Sequence, residues 1–211
     1  MEWKFSKPVS IPLRIIIISC SAYFIFKAFH LLSNDPEILG KYTPYKFFIW
    51  SHIVGGMTAL ALGPFLLWQP RRDRYLRLHR LLGKVYVGGV MAGSAGAMVL
   101  AVTTTLSVGW SYTFSLHALG FAWLSTTLLA WFAAVQKLKE IHRQWMTYSY
   151  MATVAFVFQA LIFETSILTP FGSFAEIYPS VIWASWVIPF LVYTQWLSLV
   201  AVLKNQKERK R

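Results

Sequence analysis

Charge is scarce in this chain and cysteine almost absent. Only 13% of its 211 residues are charged, against roughly 25% for a water-soluble domain, which excludes an ordinary soluble fold. The single cysteine, Cys20, lies inside an apolar run. It excludes both a disulfide framework and a cysteine-built metal centre. No Walker motif, GxGxxG, HExxH or nucleophile elbow occurs, so nucleotide and hydrolytic chemistry have no support. The net charge of +12 does not indicate nucleic acid, because Lys and Arg gather at the ends of apolar runs, where they set membrane topology.

What the chain has in abundance is apolar residues, 56% of the total, together with ten Trp and ten Tyr. The apolar residues form long blocks instead of an amphipathic pattern, which reads as an all-α integral membrane protein in a lipid bilayer. Six transmembrane helices are expected at about 11–32, 46–69, 81–103, 112–135, 145–163 and 179–203, each near the ~20 residues a bilayer requires. The first has no small-residue cleavage site after it and reads as a retained span, not a signal peptide. Residues 1–211 form one domain. Trp and Tyr suit membrane interfaces and the walls of a large flat ligand.

An even number of spans puts both termini on one side. Of the twenty Lys and Arg, three (Lys27, Lys41 and Lys46) fall on the side opposite the termini. The positive-inside rule therefore places both termini in the cytoplasm. A bacterial cytoplasmic (inner) membrane is the expected location.

Four histidines sort by depth under this topology. His52 and His117 each lie about six residues, or roughly 9 Å, below the outer surface. His79 and His142 stand at the cytoplasmic starts of the third and fifth spans. An internal repeat links them, since His52 to His79 and His117 to His142 each run from an outer His and a Gly three residues on (Gly55, Gly120), through an apolar crossing, to His-Arg. Two parallel hairpins of this kind, related by a pseudo-twofold axis along the membrane normal, form a central four-helix bundle from spans two to five. His52 then opposes His117 and His79 opposes His142, at levels about 20 Å apart in a hydrocarbon core of about 30 Å.

Two facing imidazole pairs inside a membrane fit two haem b groups, each iron taking two axial histidines. Gly55, Gly56, Gly83 and Gly120 then clear room for the porphyrin. Arg77, Arg80, Lys84 and Arg143 neutralise propionates at the inner level, and Lys41, Lys46 and Tyr45 are candidates at the outer level. An intramembrane histidine is costly and points to function, whereas His79 and His142 taken singly read equally well as interface residues. His30 lacks a counterpart and reads as a hydrogen-bonding interface residue. The methionines, Met57, Met91, Met98, Met146 and Met151, read as packing. Gln159 reads as an interhelical hydrogen bond, with contact to a ligand or quinone as the alternative. Thr103, Thr104 and Thr105 read as satisfying local backbone.

The segments His52 to Phe65, LHRLLGKVYV (Leu78 to Val87) and HRQWMTYSY (His142 to Tyr150) resemble the bacterial DUF2306 family of predicted membrane proteins. The histidine arrangement on spans two to five also resembles the cytochrome b561 superfamily. That second resemblance implies one haem on His52 and His117, another on His79 and His142, and electron transfer across the membrane. The donor and acceptor stay open among a quinone, a ferric chelate and a protein. No ascorbate-site signature is present. Two other functions remain compatible. One is a small subunit or assembly factor of a larger respiratory complex, with or without haem, and the other a metal-ion transporter using the histidines. A homodimer or larger membrane complex also fits.

Overall fold

The computed structural model describes residues 11–68, 75–165 and 167–209. The basic residues Lys4, Lys7, Arg71, Arg72, Arg74, Lys210 and Arg211, which contribute to the topology argument, lie outside the described residues. The described chain is helical throughout. Helix α1 is Ile11–Ala28, extended by a 3-10 turn Phe29–Leu32, and α2 is the single turn Pro36–Leu39. The long helices α3 Lys46–Trp68, α4 Leu76–Thr105, α5 Trp110–Val135, α6 Lys139–Thr165 and α7 Phe174–Arg209 follow. Six of the helical segments are long and apolar enough to cross a membrane. The expected spans are all present, but α4 and α6 begin earlier than hydropathy alone suggests, at Leu76 and Lys139. His79 and His142 therefore sit on helices, each three residues from the start.

Local chemistry sets the helix ends. Asp35 caps α2, its carboxylate accepting the Glu37 N–H at 2.9 Å, with Pro36 in the first turn, where its missing N–H costs nothing. Helix α5 ends in a Schellman turn. Lys137 adopts φ 60°, and the N–H groups of Leu138 and Lys137 donate to the Ala133 and Ala134 carbonyls at 2.8 and 3.0 Å. This caps the orphan carbonyls of α5 and reverses the chain within three residues. The reversal puts His142 of α6 beside the last turns of α5. Pro179 and Pro189 lie within α7, where neighbouring helices can compensate for the lost backbone bonds.

The helices α3, α4, α5 and α6 contact one another in a closed ring, α3 on α4, α4 on α5, α5 on α6 and α6 back on α3. Helix α7 covers α5 and α6, and α1 leans on α3 and α6. Large apolar side chains such as Ile16, Phe26, Phe47, Phe121, Leu191 and Val202 are exposed, as a lipid-facing surface requires. Helix ends meet in an alternating pattern. The Arg14 guanidinium lies over the Trp68 ring at 5.1 Å, tying the start of α1 to the end of α3. At the opposite end Lys27 pairs with Glu164 at 2.6 Å and Lys41 Nζ donates to the Thr104 carbonyl at 3.1 Å. Lys27, Lys41 and Lys46 thus share one end of the molecule, and Arg77, Arg80, Lys84, Lys139 and Arg143 share the other.

The tightest helix pair is α3 with α4. A Cβ added at Gly55 would stand 2.3 Å from the Gly89 carbonyl oxygen and 2.8 Å from Gly93 Cα, and one at Gly96 would stand 2.5 Å from the Phe48 carbonyl oxygen. Small residues let the two backbones approach closely, so dispersion replaces the hydrophobic drive that is missing in lipid. This revises the expectation for Gly55: the space beside it is filled by α4. Gly56, one residue on, has no atom within 4 Å of an added Cβ. Gly55→Ala should therefore destabilise the purified protein by about 1–3 kcal/mol, the usual cost of overpacking, while Gly56→Ala should be neutral. Thermal unfolding in detergent measures both, and equal melting temperatures for the two variants would refute this account.

Candidate functional site

The ring of helices brings His79 of α4 and His142 of α6 together across its centre. Their ring centroids are 6.4 Å apart and the planes cross at 79°. The Nδ1 of His142 lies 2.8 Å from the Ala130 carbonyl oxygen of α5. A carbonyl can only accept, so Nδ1 carries the proton and the lone pair of the neutral ring sits on Nε2. Arg143 follows directly and is half-buried, while Arg77, Arg80 and Lys84 are exposed on the first turns of α4. A Cβ at Gly83, one turn along from His79, would meet no atom within 4 Å.

At the other level His52 Nδ1 lies 3.1 Å from the Gly93 carbonyl oxygen, and His117 Nδ1 lies 2.8 Å from the Thr113 carbonyl oxygen of its own helix. The same argument puts the free lone pair of each on Nε2. No ring contact joins His52 to His117. Instead, Phe156 of α6 stands edge-on to His52, with centroids 5.8 Å apart, and Trp123 of α5 edges Phe156 at 5.5 Å. Met98 lies 3.9 Å from a Cβ built at Gly120, an ordinary packing contact that occupies part of the room assigned to Gly120.

The hydrogen bonds also measure the separation of the two levels. His52 meets α4 at Gly93, fourteen residues beyond His79, or about 21 Å at 1.5 Å per residue. His142 meets α5 at Ala130, thirteen residues beyond His117, or about 20 Å. The two hairpins give the same height independently.

Between the levels lies a polar core that sequence reasoning missed. Tyr86 and Trp123 are fully buried, with Ser149, Thr127 and Thr153 around them. Thr127 Oγ1 donates to the Trp123 carbonyl at 2.7 Å, and Ser149 Oγ lies 2.6 Å from Thr127 Oγ1 and 2.8 Å from Tyr86 Oη. Since Thr127 spends its proton on the carbonyl, Ser149 must donate to Thr127 and Tyr86 to Ser149. Trp123 Nε1–H donates to Thr153 Oγ1 at 2.8 Å, and Thr153 donates to the Ser149 carbonyl at 3.0 Å. Every hydroxyl proton is placed. A signal existed in the sequence, because Tyr86 and Ser149 each follow a histidine by seven residues and so share its helix face two turns on.

The other polar residues find partners away from the histidines. Gln159 donates to Ser185 Oγ at 2.8 Å, binding α6 to α7, and Tyr178 Oη donates to the Gln159 carbonyl at 3.2 Å. His30 is exposed, its Nδ1 on the Lys27 carbonyl. Thr103 and Thr104 donate to carbonyls of their own helix at 2.8 and 2.7 Å. Glu164, paired with Lys27, also accepts from Tyr23 Oη at 2.9 Å. Among the described residues no three His, Cys, Asp or Glu side chains gather as a metal-binding group.

Six membrane-length helices define a polytopic membrane protein. The sequence profile of DUF2306, described as a predicted membrane protein, matches residues 49–197, and the chain belongs to that family. The match spans all four paired histidines. No curated protein and no solved structure matches the chain.

The polar core yields a ranking. Thr153→Val leaves the Trp123 N–H buried without an acceptor, at about 1–3 kcal/mol, whereas Tyr86→Phe forfeits one neutral hydrogen bond, about 1 kcal/mol. Thermal unfolding in detergent should show the larger fall for Thr153→Val, and the reverse order would count against the proton assignment.

Proposed function

We propose that the protein binds two haem b groups, one to each histidine pair, and moves electrons between the two faces of a bacterial cytoplasmic membrane. The observation that carries this reading is the geometry of His79 and His142. A metal–imidazole bond of about 2.0–2.1 Å on each side, with each ring centroid about 1.1 Å behind its nitrogen, puts two trans rings about 6.3 Å apart. The observed separation is 6.4 Å. An Nδ1–H held by a carbonyl, as in His142, is the outer-sphere contact that fixes the tautomer and raises the basicity of a ligating histidine.

The fit differs between levels. At the inner level facing rings, the open space at Gly83 and nearby basic side chains suit a haem with its propionates. At the outer level His52 and His117 each have an anchored Nδ1, but Phe156 stands against His52. A haem there requires Phe156 to turn aside.

A bound haem supplies a one-electron couple and needs no acid–base group from the protein. The residues of this chain hold and orient it. Histidine Nε2 atoms ligate, Arg77, Arg80, Lys84 and Arg143 offset propionate charge, and the apolar ring excludes water. The excess of basic residues at the inner end supports cytoplasmic termini. The donor and acceptor are drawn from quinones, ferric chelates and partner proteins.

Purified protein from haem-replete cells should show a reduced-minus-oxidised b-type spectrum and a pyridine haemochrome of about two haems per chain. His79→Ala or His142→Ala should remove about one haem, and His52→Ala or His117→Ala the other. A colourless wild-type protein overturns the proposal. One haem lost only in the inner variants would confine it to the His79–His142 level.

A further inference from the structure

A cavity of about 610 Å³ opens between α1 and α3, away from the histidines. Ile18, Ser21 and Ile25 of α1 face Leu60, Pro64 and Trp68 of α3 across it. Its walls are apolar, and the Arg14–Trp68 contact lies at its inner end. Two hydroxyls interrupt this character. Ser21 and Tyr150 are each 5% exposed, and neither Ser21 Oγ nor Tyr150 Oη makes a hydrogen bond. The Tyr150 ring lies flat against Gly63, where an added Cβ would come within 2.2 Å of it. That contact aims the Tyr150 hydroxyl toward Ser21, near enough for the two groups to influence each other although they fall short of a hydrogen bond.

An orphaned hydroxyl in a dry environment costs about 1–3 kcal/mol each, and a membrane interior has no water to relieve it. The Tyr150–Gly63 fit also excludes a bulkier residue at position 63. Both features are explained if a ligand oxygen belongs between the hydroxyls.

Depth selects the ligand. Ser21 stands ten residues from Ile11 and eleven from Leu32, about 15 Å from either end of the span and so near the bilayer midplane. Phospholipid ester and headgroup oxygens stay at the interface and cannot reach it. The occupant must be an uncharged molecule dissolved in the lipid phase that carries an accepting oxygen on an apolar body. We infer that the α1–α3 groove binds an isoprenoid quinone, a ring carbonyl accepting from Ser21 and Tyr150 and the isoprenoid tail leaving into lipid. The choice of a redox-active carrier rests on the electron-transfer reading, for which it names the membrane-side partner.

Photolabelling tests this independently of haem. Wild-type protein in phosphatidylcholine liposomes is irradiated with an azido-ubiquinone, and the labelled peptides are identified by mass spectrometry. Label should concentrate on the α1 and α3 peptides carrying Ser21 and Leu60–Trp68 and should be competed by excess decylubiquinone. Ala61→Phe, which fills the groove, should abolish that label. Ser21→Ala, a small change that leaves the fold intact, should reduce it about fivefold, the loss of one hydrogen bond. Label spread over lipid-facing residues, resistant to competition or unchanged in Ser21→Ala, overturns the inference. A haem-free protein that still labels in the groove would sink the electron-transfer reading and leave the quinone site standing.

Discussion

An imidazole N–H inside a bilayer has no water to bond, and satisfying it governs how this molecule is built. His52, His117 and His142 each meet a backbone carbonyl through Nδ1, and two of those carbonyls belong to a neighbouring helix. A backbone carbonyl of an α-helix normally serves its own i+4 N–H, so it can take a second donor only if that donor comes very close. The glycines at the α3–α4 crossing provide the closeness. Gly93, whose carbonyl takes His52, is also the residue whose Cα would lie 2.8 Å from a Cβ on Gly55. Helix packing and histidine orientation are one arrangement.

Tautomer selection follows from it. With Nδ1 committed as a donor, Nε2 is left as an unprotonated nitrogen facing the ring interior, a poor outcome for stability alone because a buried acceptor goes unused. A purely structural histidine would better use both nitrogens. The polar core between the two levels makes the contrast plain, since its hydroxyl protons all find acceptors. Spare hydrogen-bonding capacity is confined to the histidines and a few other groups, among them Ser21 and Tyr150, and these are where a ligand can be accommodated.

Much of this was legible in the sequence, because the constraints involved are one-dimensional. Apolar block length sets the number of spans, and residue rise along a helix sets depth. The separation of about 20 Å between His79 and His52 follows from counting, and the hydrogen bonds at Gly93 and Ala130 give the same height. What escaped was azimuthal. Gly55 and Gly56 are adjacent in sequence and equally small, yet one faces a neighbouring backbone and the other open space. The pairing of Lys27 with Glu164 crosses from the first span to the fifth and has no local signature. Nor could spacing show that Phe156 stands beside His52.

The asymmetry between levels bears on what the fold permits. The inner histidines lie three residues inside their helices, where the ring is closed by the short α5–α6 turn and where basic side chains gather. Their imidazoles already face each other. The outer histidines are deeper, and the space between them is shared with Phe156, whose ring also touches Trp123. Trp123 is fixed by its hydrogen bond to Thr153, whereas Phe156 has only dispersion to hold it and is partly buried. Of the groups beside His52, Phe156 is therefore the one that can move without breaking a hydrogen bond. An aromatic side chain that must rotate to admit a planar ligand costs far less than repacking the α3–α4 crossing, so the outer level can open while the polar core and the inner level stay as they are.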